Sequence, residues 1–315
     1  FMEQNKGVTF TYNPAASLAR MDNKTTKMQL LMNPFIQIQP IKQLTLRTQF
    51  GVNTWYQRND YYNYAFHIDA LEQNTQNSAG RNYSNALNWT SNNTATYIDT
   101  FNEKHNLTVM AGFTAERYAD YWANASRQDI PGSSDLLHEV SAGTGDQFAS
   151  GNTTYQTLAS VLGRVMYNFD SRYYLTASVR YDGSSKFSKG HKWALFPSVS
   201  VAWRLSEEPF LKSTREWLDN AKIRLGWGKV GNQAINPGLF LSTMDNGVNY
   251  VFGENATRYP STILGQMGSP NLKWETVEDI DFGIDASFLN SRLNLTFDLY
   301  QKTSHDMLYA RQHHG

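Results

Sequence analysis

Apolar and polar residues alternate with a period of two along most of the chain, and helical periodicity is hard to find. From Tyr155 to Phe169 the odd positions are Tyr155, Thr157, Ala159, Val161, Gly163, Val165, Tyr167 and Phe169, while Gln156, Ser160, Arg164 and Asn168 fall between them. Tyr173–Tyr181 and Trp193–Leu205 repeat the pattern, and it recurs at 44–52, 107–115, 221–227, 280–288 and 293–299. Weaker strands fit 28–38 and 83–98, so the spacing predicts ten strands. On the clear strands one face carries no charged residue. The other carries Arg47, Glu116, Arg164, Arg180, Asp182, Arg204, Lys222, Arg224, Asp279, Asp281, Asp285 and Asp298.

A soluble β-sandwich also alternates, but three features favour a sheet that crosses a membrane. Strands 155–169 and 193–205 are longer than the usual five or six residues and reach the nine to eleven a tilted membrane strand needs. Aromatic residues cluster toward the ends of the apolar face: Tyr155 and Phe169, Tyr173 and Tyr181, Trp193 and Trp203. Connections alternate between short (39–42, 102–104, 170–171, 290–292) and long (54–82, 118–153, 231–273, with a lesser one at 183–192). Short turns on one side and long loops on the other is the outer-membrane arrangement. The exception is 206–219, where Ser206-Glu207-Glu208-Pro209 predicts a helix N-terminus. Pro197, inside a strand, predicts a bulge, because a closed barrel has no edge at which to hide a missing donor.

The physical demand behind such a sheet is simple. In lipid every backbone N–H and C=O must pair within the protein, so the sheet must close, with its apolar face outward. Composition fits. Of 315 residues 14% are aromatic and only 18% charged, and 28 basic residues balance 28 acidic ones. Net neutrality argues against nucleic acid as a partner. With no cysteine there is neither a disulfide framework nor a thiolate metal site.

Most chemical motifs dissolve on inspection. Gly226-Trp227-Gly228-Lys229-Val230-Gly231 matches a dinucleotide fingerprint by letter, but lies within a strand with no helix after it. Asn-x-Ser/Thr triplets at Asn23, Asn82, Asn88, Asn92, Asn106, Asn124, Asn152, Asn255 and Asn294 are what an Asn- and Thr-rich chain produces by chance. No histidine sits in a metal motif, His138-Glu139 near Asp135 reads as surface polarity, and no catalytic constellation, metal site or cofactor site emerges. Asp279, Asp281 and Asp285 share one strand face, as a cation site or an ionic contact for a plug. What remains is binding by loop aromatics: Trp55, Tyr61, Tyr62 and Tyr64 in 54–82, and Tyr121 and Trp122 in 118–153. The same rings could instead pack the loops on one another.

Several segments together resemble SusC/RagA-like TonB-dependent outer-membrane transporters. They are Arg180-Tyr181-Asp182-Gly183-Ser184-Ser185-Lys186-Phe187, Trp193-Ala194-Leu195-Phe196-Pro197-Ser198-Val199-Ser200 and Trp203-Arg204-Leu205-Ser206-Glu207-Glu208-Pro209-Phe210. Trp217–Arg224, Gly228–Gln233 and Ser269-Pro270-Asn271-Leu272-Lys273-Trp274-Glu275 continue the series, with Ser269 where the family more often has Asn. The resemblance covers about 180–300, with 13–53 similar but weaker. It implies an all-β fold: a 22-stranded antiparallel transmembrane barrel with an N-terminal plug, in the outer membrane of a Gram-negative, Bacteroidetes-like cell. It implies import of a glycan or peptide, with a SusD-like surface lipoprotein and a TonB-type energy transducer as partners. Residues 1–315 would be one internal part of the barrel, about ten strands with unpaired edges. Arg164, Arg180, Arg204, Arg224, Asp279, Asp281 and Asp285 would face the lumen and plug. The alternatives are a complete small outer-membrane barrel, enzyme or adhesin, and a soluble glycan-binding β-sandwich.

Overall fold

The computed structural model describes residues 14–68, 73–131, 138–252 and 257–309. Asp135, the triplet at Asn255, and His313 and His314 lie outside the described residues.

A short helix, Pro14–Ala19, precedes fifteen strands. They are β1 Met21–Met32, β2 Phe35–Ile41, β3 Leu44–Asn63, β4 Phe66–His67, β5 Gln73–Asn74, β6 Ser78–Phe101, β7 His105–Gln128 and β8 Gln147–Phe169. There follow β9 Tyr173–Ser184, β10 Trp193–Arg204, β11 Leu218–Asn232, β12 Met244–Phe252, β13 Thr257–Leu264, β14 Glu275–Phe288 and β15 Leu293–His305. One sheet runs in the order β1-β3-β6-β7-β8-β9-β10-β11-β14-β15, with β2 also on β3. β1 and β2 are one strand position interrupted at Asn33-Pro34, since proline cannot donate to the ladder. The sheet therefore has the ten positions the alternation predicts. β15 pairs only with β14, so the path does not close on itself among the described residues.

The residues form two compact units. Unit 1 comprises Phe1–Leu31, Val52–Asn88 and Tyr118–Thr154, and unit 2 comprises Met32–Gly51, Trp89–Arg117 and Tyr155–Gly315. Strands β3, β6, β7 and β8 pass through both.

Register in unit 2 is set by tight turns whose residues adopt left-handed backbone: Asn102 and Glu103, Asp170 and Ser171, and Leu289, Asn290 and Ser291. Positive φ at consecutive positions matches the right-handed twist of hairpin strands. Asn and Asp tolerate it, whereas Leu289 at φ 57° does not fit the preference. Leu289→Gly is therefore expected to stabilise the fold by about 1 kcal/mol, read as a rise in the thermal midpoint of the purified protein. An unchanged or lower midpoint would contradict this.

Three expectations need correction. The loops 54–82 and 118–153 shrink to 64–77 and 129–146, because β3, β6, β7 and β8 run on past their apolar stretches. Residues 231–273 hold the β12–β13 hairpin rather than open loop. Backbone pairing continues there as a separate two-stranded sheet. The segment at Ser206 is not an α-helix but two 3₁₀ pieces, Leu205–Glu207 and Pro209–Thr214. Glu208 between them is extended, as the residue before a proline prefers. Nor does Pro197 force a bulge. It pairs with Val179 in unbroken register with β9, and the pairing of β10 with β11 begins one residue later, at Ser198. The missing donor is placed where a partner strand is not needed.

Candidate functional site

Unit 2 presents two unlike faces. Register places Val199 opposite Ala177 and Trp227, and Val201 opposite Leu175 and Leu225. Further along, Ile223 faces Ile284, Ile284 faces Phe297, and Phe282 faces Leu299. Val201, Leu225 and Leu299 stay exposed, at 45%, 51% and 63%, and Ala177, Ile223, Trp227 and Phe282 are half-buried. A water-soluble sheet buries such a face, and a contiguous apolar surface of this kind marks contact with another apolar medium or partner. It includes a groove of about 660 Å³ lined by Tyr167, Leu175, Val201, Trp203 and Leu225, among others.

Aromatic pairs bound this band at both ends. Near the short turns, Tyr173 stacks between Phe169 (6.2 Å) and Trp203 (6.3 Å), and Trp217 stacks on Phe288. Near the long connections, Tyr181 stacks on Trp193 at 4.9 Å. From Trp193 to Trp203 the strand spans about 34 Å at 3.4 Å per residue. At the usual tilt that gives a height of about 25 Å, the thickness of a barrel's apolar band.

The opposite face carries the charges. Arg224 donates to Asp285 at 2.8 and 3.1 Å and to Asp298 at 2.9 Å. Arg180 pairs with Asp182 at 2.7 Å and donates to Ser160 at 3.0 Å. Arg204 donates to Asn220 at 2.9 Å, and Lys302 lies 3.8 Å from Asp279. The side chains of Arg164 and Asp281 make no hydrogen bond or ion pair with any described residue. Asp281 packs over Gly226, which a larger residue could not occupy without moving it. The G-x-G-x-x-G letters thus serve strand packing.

The residues that carry the resemblance do structural work. Phe187 is fully buried and sits 4.9 Å from the Trp274 ring, while Phe196 meets Trp274 edge-on at 5.3 Å. Trp274 Nε1 donates to Lys192 O at 2.8 Å, and Ser188 Oγ donates to Leu272 O at 3.1 Å. Lys186 reaches Gln233 O at 3.2 Å, and burial pushes its ammonium pKa down. The connection 185–192 and the end of 233–274 are pinned to each other over β10.

At the short-turn side Glu208 organises the aromatic belt. Its Oε1 accepts from Tyr173 Oη at 2.6 Å and from Trp203 Nε1 at 3.0 Å, and Arg172 lies 3.8 Å away. The Tyr173 hydrogen bond first, then that from Trp203, hold its carboxyl below the usual carboxylate range. A depressed folded pKa contributes stability above the unfolded value and loses it as pH falls through the folded one. The melting-point gap between wild type and Glu208→Gln is therefore expected to be open at pH 7 and to close on acidification below about pH 4.5. A gap constant with pH would refute this.

Unit 1 holds the aromatic residues expected on loops. Trp55, Tyr61 and Tyr62 lie on β3, Tyr121 and Trp122 on β7, and only Tyr64 is in a connection. Tyr62 is 4% exposed and stacks on His138 at 3.6 Å, with Tyr64 edge-on at 4.7 Å. These two belong to a small core with Ala79 and Ile130, closed by Asn77, which bonds Tyr62 Oη at 2.8 Å. Their rings are spent on packing the connections together. Trp55 and Tyr61 are half-buried, Lys27 sitting 5.4 Å above Trp55 and Tyr61 packing over Gly80. Tyr121 and Trp122 are exposed, on opposite faces of β7. Phe187, Trp274 and Glu208 are marked neither by strand alternation nor by a cluster of loop aromatics. Their signal was their place in the Ser185-Lys186-Phe187, Lys273-Trp274-Glu275 and Glu207-Glu208-Pro209 motifs.

A meandering antiparallel sheet with an exposed apolar band, aromatic borders and a charged reverse face is the wall of a membrane β-barrel. Residues 6–313 match the family model described as TonB dependent receptor-like, beta-barrel, and the chain belongs to that family. Its relatives include the TonB-dependent receptor P39 of Formosa agariphila, 29% identical across 94% of this chain and 28% of that protein. The TonB-dependent receptor SusC of Bacteroides thetaiotaomicron is 39% identical across 49% of this chain and 16% of its own length. A structure of the RagAB peptide transporter superposes with a TM-score of 0.82 at 25% identity, over 97% of this chain and 33% of that one. The chain therefore spans about a third or less of the length of these relatives.

Proposed function

We propose that this chain forms part of the wall and outer rim of an outer-membrane transporter that imports a glycan or a peptide. The observation that carries this is the exposed apolar band of unit 2, paired in register from β8 to β15 and backed by a charged face. The apolar face and its groove take outer-membrane lipid. The charged face lines the lumen. There most charges neutralise one another, as in Arg224–Asp285–Asp298 and Arg180–Asp182. Arg164 and Asp281 are left for a plug or for solvent. The long connections face outside the cell, where a SusD-like lipoprotein would cover the mouth. A TonB-type transducer would supply energy through parts of the protein beyond this chain.

The test has two arms. Because the chain has no cysteine, single cysteines at Val199 and at Ser200 report their surroundings without background from it. Labelling from the lipid phase is expected at 199, and labelling by a small aqueous maleimide at 200. Deleting the gene is expected to abolish uptake of one nutrient class, and a protonophore to mimic the deletion. Aqueous labelling at both positions, or uptake indifferent to the gene, overturns the reading.

A further inference from the structure

Three Asn-x-Ser/Thr triplets, at Asn23, Asn82 and Asn124, fall in β1, β6 and β7. In a strand a spacing of two sets the amide and the hydroxyl on one face. The structure joins these asparagines through a fourth. Asn124 Nδ2 donates to Asn82 Oδ1, Asn82 Nδ2 to Asn59 Oδ1 at 3.0 Å, and Asn59 Nδ2 to Asn23 Oδ1 and to Thr25 Oγ1 at 2.9 Å. β1, β3, β6 and β7 are consecutive in the sheet, so the amides form a ladder with one rung per strand, about 4.8 Å apart.

Every amide in the ladder points the same way, because each is oriented by the next. Asn82 and Asn124 each spend one N–H on the ladder and keep a second with no acceptor among the described residues. Asn124 Oδ1 likewise receives no donor there. The ladder thus offers fixed, uncharged donors and acceptors on the open side of the sheet. Rings flank it on the same face: Trp55 and Tyr61 on β3, in step with Asn59, and Trp122 on β7, in step with Asn124. Lys27, in step with Asn23, lies over Trp55, and Gln29 reaches Asn53 at 3.0 Å, which fixes the shared face. Trp122 is 45% exposed and has room for a partner.

We infer that this face is a binding site for a neutral oligosaccharide, with the rings against the C–H faces of the sugars and the amides on their hydroxyls. Planar rings and fixed uncharged amides match a ligand that is apolar on its faces and polar at its rim. A peptide fits less well. Its charged termini and side chains would call for several ion-pair partners, and the charges in step with the ladder here are two, Lys27, held over Trp55, and Asp120, next to Trp122 on its face of β7. Its main chain is best held by a free strand edge, and the rings sit on β3 and β7, which are paired on both sides; among the described residues β1 alone of the ladder's strands ends the sheet order. The inference rests on the importer reading and narrows its substrate class.

The test uses membranes from cells carrying the intact gene, against a deletion strain. The probes are labelled neutral hexa- and heptasaccharides (malto-, cello-, xylo-, manno- and laminari-series) and, separately, a tryptic digest of casein. Retention of at least one neutral glycan is expected. Asn82→Leu and Trp122→Ala should each weaken it about tenfold, equivalent to about 1.4 kcal/mol, while Trp122→Phe restores most of it. Mobility on unheated gels checks that each variant is folded. Retention of casein peptides alone, retention of no neutral glycan, or glycan retention unchanged in the folded variants overturns the site. The first of these outcomes leaves the importer reading intact, whereas gene-independent uptake sinks that reading instead.

Discussion

Val199→Arg is expected to cost about 2–4 kcal/mol of folded stability in the membrane, the price of a guanidinium near the middle of a barrel's lipid face. Val199 lies between the two aromatic borders of β10, opposite Ala177 and Trp227, and its side chain is exposed. In a soluble protein an exposed valine could become arginine almost without consequence. The matching control is Ser200→Lys, one residue on and therefore on the other face, opposite Gly226 and next to the row of Asp281. That change should stay within about 0.5 kcal/mol. The measurement is the folded fraction in urea titrations of the protein in lipid. Equal effects at 199 and 200 would remove the case for a lipid-facing band.

Trp274→Ala is expected to cost about 3–5 kcal/mol, the usual loss for emptying a buried aromatic site. The ring is 6% exposed, wedged between Phe187 and Phe196, and its indole N–H holds Lys192 O. The damage should be local as well as global. With the wedge gone, the connection 185–192 loses its anchor, and trypsin should cut at Lys186, Lys189 or Lys192 well before the strands give way. Trp274→Phe keeps a ring but loses the hydrogen bond, at about 1 kcal/mol. If Trp274→Ala leaves both the urea midpoint and the cleavage rate unchanged, the cluster is not what fixes these connections.

The parts of this fold legible in the sequence are those where one face of a strand meets an apolar medium and the other does not. There the contrast is written residue by residue, as in Trp193-Leu195-Val199-Val201-Trp203 against Ser198-Ser200-Arg204. It fades where both faces are polar. Residues such as Gln57, Arg58, Asn59 and Asp60 look like loop, yet β3 carries them on to Asn63 through backbone pairing and polar side-chain contacts such as Asn59–Asn82 and Asp60–Arg81. The same blindness hid the asparagine ladder: each triplet taken singly is noise, and only strand adjacency gives it meaning. Tyr62 shows the converse limit. An aromatic in a polar stretch looks available, but the local fold spends it on His138 and Ile130. Motif resemblance reached further than periodicity because Phe187 and Trp274, remote in sequence, are held to their identities by one shared contact.

The order of strands also sets how such a wall can assemble. Among the described strands of the sheet, partners follow one another along the chain, across tight turns or across the connections 64–77 and 129–146, so most closures add little entropy cost. β11 and β14 are different, because closing that pair must bridge residues 233–274. Loop-closure scaling puts the extra cost at roughly 2–3 kcal/mol over a two-residue turn. The β12–β13 hairpin folds in part of that length, and the Phe196–Trp274 contact ties its far end back onto β10. This seam is thus where the growing sheet waits longest for its next strand, and where it stays open if the wedge at Trp274 is missing.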